Sequence, residues 1–487
     1  MASTCPLSSQ SNLTEGLLAK ARKGSHRSKQ RKVWVPKHGP PSSPARSSSS
    51  SSSSLAAGEM TVFDGVAIIA GTAIGGGFLA LPTLTTPMGF MPATTGLFVS
   101  WAFLVMTALA YAEATLRSMV KQSSARAADA AFLEAAADEL PECSVLTVTR
   151  CSLGNGCSMI CSAAFATLMF VVMTAQVVKS GEIVSLLSGL PYSVSCIIPS
   201  LLAGLFSYCA STRTVEQANS ALTVALVVGF ALLIFNTTVA GTTGMNLSTV
   251  ARRLSFADWR WLMPTGPSWT LPVFVNLICF GQAVPVIVGR FGPGRVRDVQ
   301  ISIVLGSFIP FLLCALWVAV SAALVDAKAS GEAVASDPVL RMLRERWAVS
   351  VPVGLVALGA IGTSLISSCL SLGQFFTDCI FAICGRCTLN SRGAARTAVV
   401  VIPLIVACGG PELYLPLLAF AGAYPTDFLY GIVPCLATLA LRRAEPETKS
   451  NVLKGSLRLL PGGYPLLISL GFLAAALIAT SAALSLG

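Results

Sequence analysis

The stretch Gly71-Thr72-Ala73-Ile74-Gly75-Gly76-Gly77 lies inside an apolar run from Val66 to Leu84, and its chemistry is that of its backbone. Glycine in a helix interior is about 1 kcal/mol less favourable than alanine, so a helix unwinds most readily here. An unwound turn at membrane depth frees N–H and C=O groups, which is tolerable only where they line a cavity or meet a ligand. N–H groups at the start of a half-helix attract an anion, and freed carbonyls attract a cation. A second stretch of this kind is Cys-Phe-Gly-Gln-Ala-Val-Pro, from Cys279 to Pro285, followed by Gly289. Together the two stretches suit a zwitterion, with its carboxylate on the amides of Thr72–Gly77 and its ammonium on carbonyls of both breaks. For Gly71 and Gly75 the competing role is close packing between helices, which small residues permit in lipid.

Side chains around these stretches supply the remaining candidates. Asn276, Phe280, Gly281 and Gln282 flank the second break, and Gln176 lies in an earlier apolar run. These are the expected determinants of side-chain specificity. Ionisable residues inside apolar runs are functional candidates by default. Glu113 and Asp378 lead as carriers of a coupling proton. Glu113 could equally hold a bundle together by a structural hydrogen bond, and Asp378, near the end of its run, suits a structural or gating role. Asp427, beside Pro425, is a third polar contact or marks a break of its own. The hydroxyls of Thr363, Ser364, Ser367, Ser368 and Ser371 form a cluster that could hold a sodium ion, or could satisfy their own helix backbone.

Other chemistries are excluded. The two histidines, His26 and His38, both precede the apolar body, so a Ser–His pair or a histidine-ligated metal has no place in it. No glycine immediately precedes a lysine, so there is no phosphate-binding loop ending in GK[ST]. The glycine run does not fit GxGxxG, and apolar helix rather than strand precedes it. The fifteen cysteines are scattered through apolar runs, where cysteine acts as a small hydrophobe. The one tight pair, Cys384 and Cys387, has no matching ligands elsewhere. No cofactor or metal is implied.

The elements that must position these residues follow from composition. Of 487 residues, 54% are hydrophobic and 11% charged, against about 25% charged in soluble domains, and the mean hydropathy is +0.72. Apolar stretches of about 20 residues recur along the chain, as helical membrane spans require. The expected fold class is an all-α polytopic membrane protein with eleven spans. These are expected near 61–84, 90–117, 156–178, 192–210, 219–240, 270–289, 299–325, 351–384, 395–410, 415–441 and 464–485. A surface helix is expected over Ala127–Leu140. Sixteen Lys/Arg in loops on the N-terminal side against eight on the other place the N-terminus inside.

The net charge of +11 does not point to nucleic acid, because residues 1–58 hold nine Lys/Arg and one acid, Glu15. That segment also ends in a serine run from Ser47 to Ser54. A basic, serine-rich, acid-poor leader reads as an organellar transit peptide, closer to the chloroplast type, or as a disordered cytosolic tail. In a plastid envelope the inner side would be the stroma.

The glycine/proline-interrupted first and sixth spans hold matching positions in two halves. Such a pair is the best sequence pointer to the binding site of a secondary transporter. With five spans per half the copies run in opposite senses: repeat one over 61–240, repeat two over 270–441, and one extra span over 464–485. An enzyme would need a catalytic constellation, a receptor a large soluble domain, and a channel would not need mirrored breaks.

The string AGTAIGGGFLALP resembles the first span of the tryptophan/tyrosine permease family of aromatic amino acid transporters. AYAEATL closing the second span, LPVFVNLICFGQAVPVIV in the sixth and SLGQFFTD late in the eighth agree with it. The resemblance covers roughly residue 60 to the C-terminus. It implies a leucine-transporter-like (LeuT-like) fold of eleven spans and uptake of an amino acid, usually with protons. Plants and algae carry plastid-targeted relatives, which fits the leader. Many members have a histidine after the phenylalanine of the sixth-span break, where this chain has Gly281 and Gln282. The rival cargo is a small neutral amino acid or amine, with sodium as the alternative coupling ion.

Overall fold

The computed structural model describes residues 60–486, apart from 131–144, 210–211, 239–246, 266–268, 325–336, 345–346, 385–388 and 445–456. The leader 1–58, most of the expected surface helix, and the Cys384–Cys387 turn beyond Cys384 lie outside the described residues. So do the side chains of some residues inside helices, Asp378 among them.

The described residues form helices and no strands. In chain order these are α1 (Val62–Ala73), α2 (Leu81–Thr85), α3 (Phe90–Ala130), α4 (Val145–Ser188), α5 (Tyr192–Cys209) and α6 (Thr212–Thr238). There follow α7 (Leu247–Leu254), α8 (Leu271–Leu277), α9 (Val284–Phe291), α10 (Val296–Leu324), α11 (Pro338–Arg344) and α12 (Trp347–Cys384). The last four are α13 (Leu389–Ala407), α14 (Tyr414–Ala421), α15 (Val433–Ala444) and α16 (Gly463–Leu486). Eight helical stretches among the described residues are long and apolar enough to cross a membrane, nine with the bent pair α1–α2. The other two expected spans appear as shorter apolar helices, Tyr192–Phe206 and Thr397–Ala407.

Helix ends follow local chemistry. α1 starts in a capping box: Asp64 N donates to Thr61 Oγ1, and Thr61 N donates to Asp64 Oδ2 at 2.9 Å. Proline lies in the first turn of α2, α8 and α9, at Pro82, Pro272 and Pro285, where its missing N–H breaks no ladder. α4 is longer than the expected third span because a first segment is joined to it across a kink at Gly154, whose φ is +87°.

Large apolar side chains face outward along the spans, among them Leu201, Leu205, Val227, Phe235, Leu312 and Phe472. They cover the surface that lipid must contact. The interior holds the polar groups, including Glu113, Lys179 and Asp427, each fully buried.

Candidate functional site

The first span is broken as its glycines predict. α1 ends at Ala73, Ile74 and Gly75 are extended (φ −89° and −131°), and a 3-10 turn over Gly76–Ala80 leads into α2. The two halves are bent by 48°. The sixth span repeats the design: α8 ends at Leu277, Ile278 and Phe280 leave helical geometry, and a 3-10 turn over Gly281–Ala283 leads into α9. In both spans a short glycine-led turn precedes a half-helix started by proline. The first N–H groups of such a turn have no acceptor inside the helix.

Three other spans converge on the first break. A Cβ placed on Gly75 would stand 3.5 Å from Ser364 Oγ of α12. One on Gly76 would fall 1.6 Å from Gln176 Oε1 of α4, and one on Gly77 would fall 2.5 Å from Leu277 Cδ2 of α8. Gly76 and Gly77 are therefore close-approach positions. Gly71 is different: it is exposed and a Cβ there would meet nothing within 4 Å. Its contribution to unwinding is one of helix propensity alone.

Two carbonyls of this segment are satisfied from distant helices. Tyr414 Oη donates to Gly76 O at 2.9 Å, and Trp317 Nε1 donates to Phe78 O at 3.1 Å. Trp317 also stacks on Phe78 with ring centroids 5.4 Å apart, and Phe230 packs against both. Gln176 is buried beside Gly76, and its Oε1 has no hydrogen-bond partner. A buried orphan acceptor of this kind is unfavourable by about 1–3 kcal/mol. It is the group a donating ligand would satisfy.

Of the other expected residues, Thr72 turns its hydroxyl back to Ile69 O, Ala73 is buried and Ile74 is half-buried. Asn276 Oδ1 accepts from Thr426 Oγ1 at 3.1 Å, which ties the end of α8 to the tenth span. Phe280 and Gly281 are buried and line a narrow crevice with Tyr111 and Tyr430; Gln282 is partly exposed. In the hydroxyl cluster Ser364 meets the first break and Ser368 is buried. Ser367, expected as an ion contact, is turned out to the exposed face of α12. Helical phase is the reason: of these three serines, one turn of helix brings only Ser364 to Gly75. Thr363 bonds back to Gly359 O.

Glu113 is fully engaged. Arg442 grips it with Nε at 2.6 Å and Nη2 at 2.7 Å, Arg117 Nε adds a bond at 3.0 Å, and Leu459 N donates at 3.3 Å. A fork of this kind is the strongest type of charge-assisted pairing. Lys179 of α4, also fully buried, bonds Glu182 at 2.7 Å and Asp337, the residue preceding α11, and lies 5.2 Å from the centre of the Tyr414 ring. Tyr414 begins the tenth span and Arg442 ends it, so the two ionic clusters stand at opposite ends of that span. The cluster at Lys179 was not expected from the sequence, because Lys179 and Asp337 are 158 positions apart.

The tenth span is itself irregular. π-helical turns over Gly422–Thr426 and Phe428–Ile432 separate α14 from α15, and Asp427 lies between them. The proline at 425 was the sequence sign of this.

The geometry is that of a polytopic helical protein with two spans, the first and the sixth, broken at glycine-led turns. The chain is 25% identical to the tryptophan-specific transport protein of Haemophilus influenzae, across 81% of this chain and 91% of the relative. It is 23% identical to tyrosine-specific transport system 1 of the same organism, with the same coverage. It is 20% identical to glutamine transporter 2 of Aliivibrio fischeri, across 79% of this chain and 90% of that protein. Residues 59–468 match the tryptophan/tyrosine permease family, and the chain belongs to that family.

Proposed function

We propose that the chain moves a neutral aromatic amino acid, such as tyrosine or tryptophan, across a membrane by alternating access, as a proton symporter. The carrying observation is the meeting of the first break with Gln176 and the sixth span. Amides at Gly76 and Gly77 suit a carboxylate, while Gln176 Oε1 and backbone carbonyls of the two breaks suit an ammonium. The relatives' cargoes support an aromatic side chain. In this reading 61–240 and 270–441 are inverted repeats, and the span at 464–485 is an addition.

Two ionic clusters at opposite ends of the tenth span suit two locks. Glu113–Arg442 closes the face on which the N-terminus lies, and Lys179–Asp337 closes the other. Glu113 is then a fastener, its oxygens being taken by two arginines. Transport opens one lock at a time.

A second reading keeps the site and changes the cargo to a small or amide-bearing neutral amino acid. Gly281 and Gln282 in place of a histidine favour it, as does the glutamine-transporting relative. Sodium in place of the proton would draw on Ser364 beside Gly75 and on the buried Ser368 one turn further along α12.

Uptake of labelled tyrosine, tryptophan, leucine and glutamine into proteoliposomes, with a pH gradient, a sodium gradient or neither, separates these readings. Aromatic accumulation driven by pH is expected; no accumulation of any amino acid under any gradient contradicts the proposal. The basic leader supports a plastid envelope location, which fusion of residues 1–58 to a fluorescent protein tests.

A further inference from the structure

Asp427 is fully buried in the middle of the tenth span, and neither carboxyl oxygen has a hydrogen-bond partner. Its place is between two π-helical turns, a geometry rare in proteins and frequent at functional sites. The turn before it packs against α8, α4, α14 and α16, and the turn after it against α3, α4, α15 and α16. Its neighbour Thr426 is bonded to Asn276, at the end of the half-helix that leads into the sixth-span break. Among the described residues, Cys279, within that break, is close enough to interact electrostatically with it. Tyr430 follows one turn along, buried, with its own hydroxyl unpartnered.

The buried cations of the surrounding helices are engaged elsewhere. Lys179 of α4 is held by Glu182 and Asp337, and Arg117 of α3 and Arg442 of α15 are held by Glu113. Among the described residues no basic group bonds Asp427. A carboxyl charge left alone in such an interior is severely unfavourable, whereas the neutral acid is tolerable. We propose that Asp427 carries the coupling proton: its carboxylate takes one proton from the face from which substrate enters, and the acid gives the same proton up on the opposite face. The Thr426–Asn276 bond ties that event to the sixth-span break. The assignment rests on the proton-driven reading above.

The test uses the full chain in liposomes and labelled L-tyrosine. Two readouts are compared: exchange against internal unlabelled tyrosine at equal pH, and accumulation driven by an inward proton gradient with internal pH recorded. For Asp427→Asn, exchange persists while accumulation above equilibration and tyrosine-linked acidification are lost. For Asp427→Glu, accumulation returns with a shifted pH midpoint. The assignment is overturned if Asp427→Asn accumulates tyrosine like the parent chain, or if a well-folded Asp427→Asn protein loses exchange together with accumulation. Should the asparagine variant not fold, an unchanged pH midpoint in Asp427→Glu overturns it as well. A parent chain that does not exchange tyrosine instead defeats the functional reading on which this one stands.

Discussion

The phenol of Tyr414 donates to the carbonyl of Gly76 across 2.9 Å, while Lys179 Nζ rests 5.2 Å from the centre of the same ring. One side chain thus connects the first break to the ion cluster that includes Asp337. In the proposed two-lock reading, opening that cluster would free Lys179 from Asp337 and remove the support under the ring. The carbonyl at the break and the ion cluster at the end of the span thus share one side chain, Tyr414.

Tyr414→Phe removes this bond while keeping the ring. A net hydrogen bond contributes about 0.5–1.5 kcal/mol, so we expect tyrosine binding to the purified protein to weaken by about twofold to tenfold. Loss of the cation–π contact is not expected, since phenylalanine retains the ring face. Unchanged affinity would show that Gly76 O needs no partner.

The glycines of the first span divide by what surrounds them. Gly76→Ala drives a methyl into Gln176 Oε1, and overpacking of this sort costs about 1–3 kcal/mol. Gly71→Ala meets open space and gains up to about 1 kcal/mol of helix propensity. Thermal unfolding in detergent should therefore show a lowered midpoint for Gly76→Ala and an equal or raised one for Gly71→Ala. Gly75→Val, whose branches approach Ser364 beside the break, should insert normally and fail to transport.

The two ionic clusters should act in opposite directions. Asp337→Asn weakens the lock on the face away from the N-terminus and shifts the population towards opening there, because a state gains population when its rival loses contacts. Glu113→Gln leaves Arg442 and Arg117 without their carboxylate; breaking a buried pair costs about 3–5 kcal/mol, and the opposite face opens. Tyrosine affinity measured from the face away from the N-terminus is expected to rise in Asp337→Asn and fall in Glu113→Gln. The same sign in both variants would contradict the two-lock reading.

Much of this arrangement was legible in the sequence for a definite physical reason. Glycine and proline act locally, so the breaks at Gly75 and Phe280 could be read from their own neighbourhoods, whereas at Pro425 the sequence left a break and a polar contact by Asp427 equally open. What could not be read was pairing at a distance. Tyr414 and Gly76, Lys179 and Asp337, or Glu113 and Arg442 meet only when the bundle closes, and no local pattern marks them. The choice of Ser364 over Ser367 depended on rotation of α12 about its axis, which an evenly apolar helix does not reveal. Glu113 illustrates the limit most plainly: its burial was foreseeable, whereas its double arginine grip was not.

The central claim is that backbone groups at the two breaks recognise both charged ends of an amino acid. Competition against labelled tyrosine on the purified protein tests it directly, using tyrosine, tyramine, which lacks the carboxylate, and N-acetyltyrosine, which lacks the ammonium. The account predicts displacement by tyrosine alone, with neither tyramine nor N-acetyltyrosine competing at concentrations where tyrosine saturates. Displacement by tyramine comparable to that by tyrosine would contradict it, because recognition would then reside in the side-chain pocket and not in the broken spans.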